Sequence, residues 1–148
     1  MGIETISAAN LQPLTELMLE LWNTASFEEE YENCQKMMAS EKETCYLIKV
    51  QNSYIAFIYL TLRTDYVEGA ITSPIAYIEG LYVKPPYRGQ GIGKKLVDLG
   101  EAWGLQKGCK QYASDAELSN ADSLAFHESA GFKEANRIVC FIKDITQT

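Results

Sequence analysis

Three glycines recur at every second position in the stretch YRGQGIGKKL, residues 87–96, and a lysine pair and apolar residues follow them. Backbone N–H groups without partners converge where such a loop begins a helix, and glycine lets a ligand approach them closely. The stretch therefore predicts a pyrophosphate site, in which Gly89, Gly91 and Gly93 leave the loop uncrowded and the helix dipole adds attraction. The alternative is a tight strand-to-helix turn without a ligand, for which one or two glycines would suffice.

Two common nucleotide-binding patterns do not fit this loop. A P-loop requires four residues before its Gly-Lys pair and then Ser or Thr, whereas three residues separate Gly89 from Gly93 and Lys95 follows Lys94. A dinucleotide-binding fingerprint has the spacing G-x-G-x-x-G, and the spacing here is G-x-G-x-G. The phosphate ligand is therefore expected to belong to another class.

A carboxylate lies within the apolar stretch AYIEGLYV, residues 76–83. Strand alternation predicts that Glu79 shares a face with Tyr77, Leu81 and Val83, where an unpaired carboxylate would be costly. We therefore expect Glu79 to line a cleft, where it binds an ammonium group or accepts its proton, often through water. A salt bridge to a nearby Lys or Arg is the structural alternative. Gly80 predicts a kink or bulge at the centre of the strand.

The composition of the 148 residues, of which 47% are hydrophobic, fits one domain with a substantial core. A formal net charge of -7 argues against a nucleic-acid or anionic-membrane surface and favours cationic partners, although many soluble proteins are equally acidic. No apolar run approaches the roughly 18 residues of a membrane helix, so we expect no membrane partner.

The four cysteines are scattered and include no C-x-x-C pair, and the single His127 has no cysteine pair near it. This spacing predicts no metal site, because a ligand cluster is missing. Scattered cysteines in apolar or helical settings indicate reduced core thiols and a cytoplasmic location.

Hydrophobic periodicity predicts the elements that position these groups. In the first half they are a strand at Ile3–Ile6, helices beginning after Asn10 and Ser26, and strands at Cys45–Val50, Tyr54–Arg63 and Ile75–Val83. In the second half they are a helix from Ile92 to Gly108, a strand at Gln111–Asp115, a helix capped at Ser119 and ending at Ala130, and a closing strand at Arg137–Lys143. This order indicates an α+β domain about one central sheet.

Two motifs in this order resemble those of a known superfamily. The segment RGQGIG, residues 88–93, follows a strand that ends in LYV and resembles the acyl-CoA signature R/Q-x-x-G-x-G/A of the GCN5-related N-acetyltransferases (GNAT). The segment NADSLAFHESAGF, residues 120–132, is similar to their second signature. The resemblance implies the GNAT acyl-CoA N-acyltransferase fold, a mixed and mostly antiparallel sheet flanked by helices, with acetyl-CoA as the acetyl donor.

The resemblance also implies roles for particular residues. The backbone N–H of Leu81 would face the thioester carbonyl and stabilise the oxyanion. His127 stands where many members carry a tyrosine that protonates the departing thiolate; histidine is able to do so near neutral pH, but a lone helical histidine is more often structural or exposed. The implied acyl-CoA contacts are Leu81, Tyr82, Val83, Arg88, Gly89, Gln90, Gly91, Ile92, Gly93, Lys94, Asn120 and Ser123.

The stretch LRTDYVEGAITSPIAYIEGLYV, residues 62–83, resembles aminoglycoside 6'-N-acetyltransferases closely. That resemblance implies acetylation of the 6'-amine of aminoglycosides, and so antibiotic resistance, by direct attack within a ternary complex. Carboxylates would hold the ammonium groups of the sugar and aromatic rings would cover it. The implied acceptor pocket is lined by Trp22, Tyr66, Glu79 and Asp115.

Several alternatives stay open at this point. Trp22 ends an apolar stripe and suits the core equally well, and Asp115 is equally suited to capping the next segment. The same signatures would fit an acetyltransferase of a polyamine or a protein N-terminus, or an acyl-CoA-binding sensor without catalysis. The resemblance further implies a homodimer, with the apolar ending Ile138–Ile142 at its interface.

Overall fold

The structure is a computed structural model and describes residues 1–146. Its strands are β1 (Gly2–Thr5), β2 (Glu43–Val50), β3 (Ser53–Arg63), β4 (Ile75–Val83) and β5 (Tyr112–Ala113). Its helices are α1 (Leu11–Leu21), α2 (Phe27–Ala39), α3 (Ile92–Gln106) and α4 (Ala121–Ser129). The strands form one sheet in the order β1-β2-β3-β4-β5, antiparallel except for the parallel pair of β4 and β5. The predicted α+β class with a mostly antiparallel sheet is confirmed.

The chain forms two compact units, which divide at Asp115. The first unit contains the sheet and helices α1 to α3, and the second contains α4 and the residues that follow it. No helix within residues 1–146 has both the length and the hydropathy of a membrane span.

Helices α1 and α2 pack on one face of the sheet. Their apolar stripes form a core cluster with β2 and β3, in which Leu14, Met18, Cys34, Leu47 and Phe57 are buried. Because the apolar positions of both helices recur every three or four residues, each helix presents one continuous stripe to the sheet. Burial of these stripes fixes α1 and its C-terminal end above β3 and β4.

The starts of the first two helices differ in how they are capped. The Ser26 hydroxyl accepts a hydrogen bond from the Glu29 N–H at 3.2 Å, so the predicted cap of α2 is confirmed. Asn10 precedes α1 but makes no capping bond. Its buried side chain instead accepts from the Ser7 N–H at 2.8 Å and donates to the Thr5 carbonyl at 3.0 Å, which ties β1 to the helix.

Strand β4 contains a bulge at its centre. Tyr59 of β3 lies opposite Gly80, and Leu60 lies opposite Ile78, so Glu79 is an extra residue without a partner in the pairing. The irregularity predicted at Gly80 is therefore confirmed. A bulge of this kind bends the strand and redirects the side chains beside it.

The bulge changes which residues of β4 share a face. Leu81 lies opposite Ile58, whereas Tyr77 lies opposite Thr61, on the other face of β3. Glu79 hydrogen-bonds Thr61 and so belongs to the face of Tyr77. The prediction that Glu79 shares a face with Tyr77 is therefore confirmed. The same prediction is wrong for Leu81 and Val83, because the inserted residue shifts the alternation by one position.

The closing strand predicted at Arg137–Lys143 is absent from the structure. Residues 133–146 are neither helical nor extended in a strand, and they are exposed to solvent. The side chains of Phe141 and Ile142 are 90% and 97% exposed. The alternation of apolar residues predicts a strand only where a neighbouring strand accepts its hydrogen bonds, because an unpaired strand is not stable in water.

Candidate active site

The glycine loop connects β4 to the N-terminus of the 15-residue helix α3. Gly89 and Gly91 have φ angles of +78° and +81°, in the left-handed region that favours glycine. A Cβ atom on either residue would meet no other atom within 4 Å, so backbone conformation requires glycine there and the space beside the loop is open. An open, left-handed loop that ends at a helix N-terminus is typical of an anion site.

The predicted loop residues differ in burial. Ile92 is buried in the core and Gly93 is half-buried in the first turn of α3, so these two residues anchor the helix. The exposed members are Arg88, Gly89, Gln90, Gly91 and Lys94. The exposed members are therefore the ones able to meet a ligand in solution.

Arg88 ties the loop to the end of β4. Its Nε donates to the Val83 carbonyl at 2.7 Å, and its guanidinium lies 5.6 Å from the centre of the Tyr82 ring. The Tyr82 hydroxyl in turn donates to Glu20 of α1 at 3.1 Å. These contacts hold the loop against the last residues of the strand.

One edge of β4 is open over the predicted acyl-CoA contacts. Strand β5 pairs only with Ala76 and Tyr77, and no other strand within residues 1–146 pairs with that edge. Residues 81–83 lie beyond this short pairing. An extended ligand is able to pair with a strand edge of this kind through backbone hydrogen bonds.

The Glu79 carboxylate is held by two residues of β3. Thr61 donates to Oε2 at 2.7 Å, Arg63 Nε donates to Oε2 at 3.0 Å, and Arg63 Nη2 donates to Oε1 at 2.7 Å. The side chains of Arg63 and Glu79 are 38% and 23% exposed. The salt bridge considered as the alternative for Glu79 is therefore present, and its partner is Arg63.

Tyr77 connects this ion pair to Asp115. The Arg63 guanidinium lies 3.5 Å from the centre of the Tyr77 ring, and the Tyr77 hydroxyl donates to Asp115 Oδ2. Burial, followed by the hydrogen bond to Asp115, raises the pKa of Tyr77 above its ordinary value, so the phenol remains a donor. Glu79 and Asp115, both predicted pocket residues, thus belong to one continuous set of contacts, which we call the Arg63 network: Thr61, Arg63, Tyr77, Glu79 and Asp115.

Trp22 covers the bulge. A Cβ atom on Gly80 would lie 2.8 Å from Trp22 Cζ2 and closer still to Cη2, so the indole lies directly on the glycine backbone. The indole also meets the Phe57 ring edge-on, with centroids 6.3 Å apart. Half-buried Trp22 therefore packs on the core cluster, which is one of the two roles considered for it, and it lies on Gly80, the residue next to Glu79. Its role in an acceptor pocket stays a prediction.

Tyr66 lies in the loop between β3 and β4, residues 64–74, and is 80% exposed. Its hydroxyl donates to Glu68 at 2.5 Å. Gln111 fixes the far end of this loop, because its Oε1 accepts from the N–H groups of Ile71 and Thr72 at 2.8 and 3.0 Å and from the Thr72 hydroxyl at 2.9 Å. The loop that carries Tyr66 is therefore attached to the segment that leads into β5.

The remaining predicted residues lie on α4, in the second unit. Asn120 Oδ1 accepts from the Ser123 N–H at 3.1 Å and caps the helix, so the cap predicted at Ser119 is wrong. Because α4 begins at Ala121, Asn120 occupies the N-cap position, and its side chain reaches the N–H of the third helical residue. His127 Nδ1 lies 2.7 Å from the Ser123 carbonyl, and its ring lies 5.5 Å from that of Phe132.

Two members of the Arg63 network, Thr61 and Arg63, escaped the sequence analysis, and Tyr77 was expected beside Glu79 but was given no role. A signal for them exists, because Arg63 and Thr61 alternate on one face of a predicted strand. To connect them to Glu79, however, requires the pairing of β3 with β4 and the position of the bulge, and a single sequence specifies neither with certainty.

Comparison with known proteins identifies the class. The sequence matches the family described as Acetyltransferase (GNAT) family over residues 8–132, and the chain belongs to this family. An aminoglycoside N(6')-acetyltransferase type 1 of Acinetobacter haemolyticus is 36% identical over 148 residues, which cover 98% of this chain and 99% of the relative. A protein of the same name from Serratia marcescens is 33% identical over 92% of this chain and 94% of its own.

Solved structures agree with these relatives. One is the apo crystal structure of the aminoglycoside 6'-N-acetyltransferase AAC(6')-Ig from Acinetobacter haemolyticus. It is 34% identical in sequence, the match covers 99% of this chain and 100% of that chain, and the TM-score is 0.91. AAC(6')-Iy in complex with the bisubstrate analogue CoA-S-monomethyl-acetylneamine is 26% identical, covers 97% of this chain and 98% of its own, and has a TM-score of 0.93.

Proposed function

We propose that this protein is an acetyl-CoA-dependent N-acetyltransferase that acetylates the 6'-amine of aminoglycoside antibiotics and so confers resistance to them. The observation that carries the proposal is the pair of linked carboxylates, Glu79 and Asp115, beside the bulge of β4. The support comes from relatives 36% and 33% identical over nearly the whole chain, which are named aminoglycoside N(6')-acetyltransferases. Carboxylates and aromatic rings are the groups that bind a polyammonium sugar.

The donor site in this proposal is the open edge of β4 together with the glycine loop. Acetyl-CoA would lie with its pantetheine along residues 81–83 and its pyrophosphate at residues 88–94. The left-handed Gly89 and Gly91 support this placement, since they expose backbone beside open space. AAC(6')-Iy, which shares the fold, has been solved with CoA as well as with the bisubstrate analogue. Asn120 and Ser123 remain proposed contacts of the donor.

The proposed reaction is direct transfer. The acceptor amine gives a proton to Glu79, directly or through water, and its nitrogen attacks the thioester carbonyl carbon. The Leu81 N–H stabilises the oxyanion, the C–S bond breaks, and His127 gives a proton to the departing thiolate. An acyl-cysteine route is disfavoured at the buried thiols, because burial raises the pKa of Cys34 to about 11 and leaves little thiolate at neutral pH.

The role of His127 is tested by its alanine variant. If the imidazole protonates the thiolate, His127→Ala lowers kcat by about 100-fold or more, which is the ordinary worth of a general acid. A kcat within twofold of the parent removes His127 from the mechanism.

The function is tested by release of the CoA thiol from acetyl-CoA with kanamycin, spermidine and a generic peptide as parallel acceptors. Turnover with kanamycin alone is the expected result. Turnover with spermidine or peptide but not kanamycin would contradict the substrate and keep the enzyme class. Binding of CoA without transfer to any amine would contradict the enzyme and indicate an acyl-CoA sensor.

We infer that a second copy of the chain covers the apolar tail, residues 137–146, in a homodimer. The support is the exposure of five large apolar side chains on this short segment: Ile138, Val139, Phe141, Ile142 and Ile145. An exposed apolar patch of this kind marks an interaction surface. Sedimentation is expected to give the mass of a dimer, and Phe141→Glu is expected to give that of a monomer; a monomeric parent protein would contradict the inference.

We also infer that the chain is one catalytic domain that works in the cytoplasm. The family match over residues 8–132 runs through both compact units, which supports one domain. The cysteines at positions 34, 45, 109 and 140 are free thiols, and reduced thiols are usual in the cytoplasm.

A further inference from the structure

Arg63 lies at the centre of the Arg63 network, and the proposed reaction gives it no role. Its Nε and Nη2 donate to separate oxygens of Glu79, at 3.0 and 2.7 Å. The same guanidinium lies 3.5 Å from the centre of the Tyr77 ring. One cation therefore contacts both the carboxylate beside the bulge and the ring that reaches Asp115.

These two contacts need arginine rather than lysine. A guanidinium is planar, so it binds a carboxylate in a bidentate fork with its edge while it stacks on an aromatic ring with its face. An ammonium group is a compact point charge and is unable to make both contacts at once. The hydrogen bond to Glu79 raises the pKa of Arg63, so the side chain stays charged.

The network also limits how Glu79 meets a substrate. A carboxylate offers about four acceptor positions, and Thr61 and Arg63 occupy three of them. Within residues 1–146 one position remains, and it sets the direction from which an amine N–H approaches Glu79. Such a carboxylate aligns a single amine rather than binding any nearby cation.

We propose that Arg63 is a positioning residue for acetyl transfer, which orients Glu79 so that one acceptor amine is aligned with the thioester, while the contact with Tyr77 holds the guanidinium in place. This inference rests on the proposed acetyltransferase function. Arg63 itself does not touch the reacting atoms, and its effect on the reaction passes through Glu79. Its loss therefore reduces turnover even though it also removes a cation that competes with the substrate.

The test compares Arg63→Met and Arg63→Lys with a matched control, Lys49→Met. Lys49 makes the same two kinds of contact outside the Arg63 network and the proposed donor contacts, since its Nζ lies 3.9 Å from Glu4 and 5.0 Å from the Tyr54 ring centre. For kanamycin, Arg63→Met is expected to lower kcat by about 10- to 100-fold with KM unchanged or lower, as for a misplaced catalytic group. Arg63→Lys is expected to be intermediate, and the control is expected to stay within twofold.

A double variant separates positioning from a structural role. If Arg63 acts through Glu79, the variant Arg63→Met/Glu79→Gln has the same kcat as Glu79→Gln alone. The inference would be overturned if the fold-loss in kcat of the double variant equals the product of the two single losses. It would also be overturned if the kcat of Arg63→Met stays within twofold of the parent. Circular dichroism checks that each variant folds. If Arg63→Met does not fold, the kcat of Arg63→Lys is used to test the role of Arg63 instead.

The assays distinguish failure of the proposed function from failure of the inference about Arg63. A parent protein that acetylates spermidine but not kanamycin contradicts the substrate, and the same variants assayed with spermidine then decide the role of Arg63. A parent protein that acetylates no amine overturns both proposals. A parent protein active on kanamycin, with Arg63→Met equally active, overturns only the inference about Arg63.

Discussion

Glu79 and Gly80 point to the same face of the sheet, although they are adjacent in the chain. This is a consequence of the bulge, since Gly80 lies opposite Tyr59 and Glu79 bonds to Thr61, which shares the face of Tyr59. The glycine leaves room for the Trp22 indole. The bulge thereby turns the Glu79 carboxylate to the face on which Trp22 covers Gly80.

The variant Glu79→Gln tests the chemical role of this carboxylate. An amide does not accept the proton of the amine, so kcat is expected to fall by about 100-fold or more. Steady-state kinetics with kanamycin measures the effect. Glu43→Gln is the control, since Glu43 is another half-buried carboxylate of the sheet, bound to Tyr59, and its variant is expected to keep the parental kcat. A raised KM with an unchanged kcat would limit Glu79 to binding an ammonium group.

The variant Gly80→Ala tests the contact with Trp22. The new methyl group would overlap the indole, so the ring has to move, and the free energy of unfolding is expected to fall by about 1–3 kcal/mol. Denaturant unfolding measures the loss, and the KM for kanamycin is expected to rise. In the control, Gly2→Ala, the new Cβ would lie 3.9 Å from the Lys49 carbonyl, an ordinary contact, and little change is expected. Equal stability of the two variants would contradict the packing described.

At the scale of elements, close packing of α3 fixes the glycine loop relative to β4. A Cβ on Gly104 would lie 2.7 Å from the Ala76 Cβ, and one on Gly100 would lie 2.8 Å from Leu60 Cδ2. Small residues on this face of α3 let the helix approach the strands closely. The N-terminus of α3 and the open edge of β4 are therefore held at a fixed distance from each other.

The loop of residues 64–74 depends on Gln111 in the same way. The variant Gln111→Met removes the acceptor of three hydrogen bonds, so the amides of Ile71 and Thr72 are expected to exchange faster with solvent. Hydrogen exchange with mass spectrometry measures this. Gln111→Glu keeps an oxygen at that position and is the control. Unchanged exchange in Gln111→Met would show that other contacts hold the loop.

Sequence patterns predicted the elements better than their pairing. The bounds of β4, Ile75–Val83, were predicted as observed because β-branched and aromatic residues fill the strand and turn residues flank it. The irregularity at Gly80 was also predictable. The partner of Glu79 was not, because Arg63 lies on another strand and the alternation across a bulge depends on the register of that pair.

In the apolar tail, the sequence predicted an element that the structure does not contain. The segment 137–143 has the pattern of a strand but does not form one within residues 1–146. Strand propensity describes how well a residue fits a paired, half-buried surface. The sequence does not show whether that surface comes from the same chain or from another molecule.

At the scale of the whole molecule, buried thiols and phenols make the free energy of unfolding depend on pH in the alkaline range. Burial raises the pKa of Cys34 from its ordinary 9.0 to about 11 and also raises the pKa of Cys45. The unfolded thiol therefore ionises before the folded one does. The resulting contribution to stability is complete below about pH 9 and is lost as the pH rises to about 11.

Urea unfolding under reducing conditions tests this coupling. The free energy of unfolding is expected to fall between about pH 9 and pH 11, and to fall less steeply in Cys34→Ala. The comparison uses slopes against pH, since the variant is also less stable at neutral pH through the loss of a buried side chain. Parallel slopes for the two proteins would contradict the assignment to Cys34.

The net charge of -7 also acts at this scale, because an acidic molecule attracts a polyammonium substrate over a distance. Attraction alone does not select one amine, and we propose that Glu79 and the residues that hold it make that selection. The most direct measurement compares CoA release with kanamycin and with an aminoglycoside that carries a 6'-hydroxyl in place of the amine. Turnover is expected with kanamycin, and almost none is expected with the 6'-hydroxyl compound. Equal turnover of the two would contradict transfer to the 6'-amine.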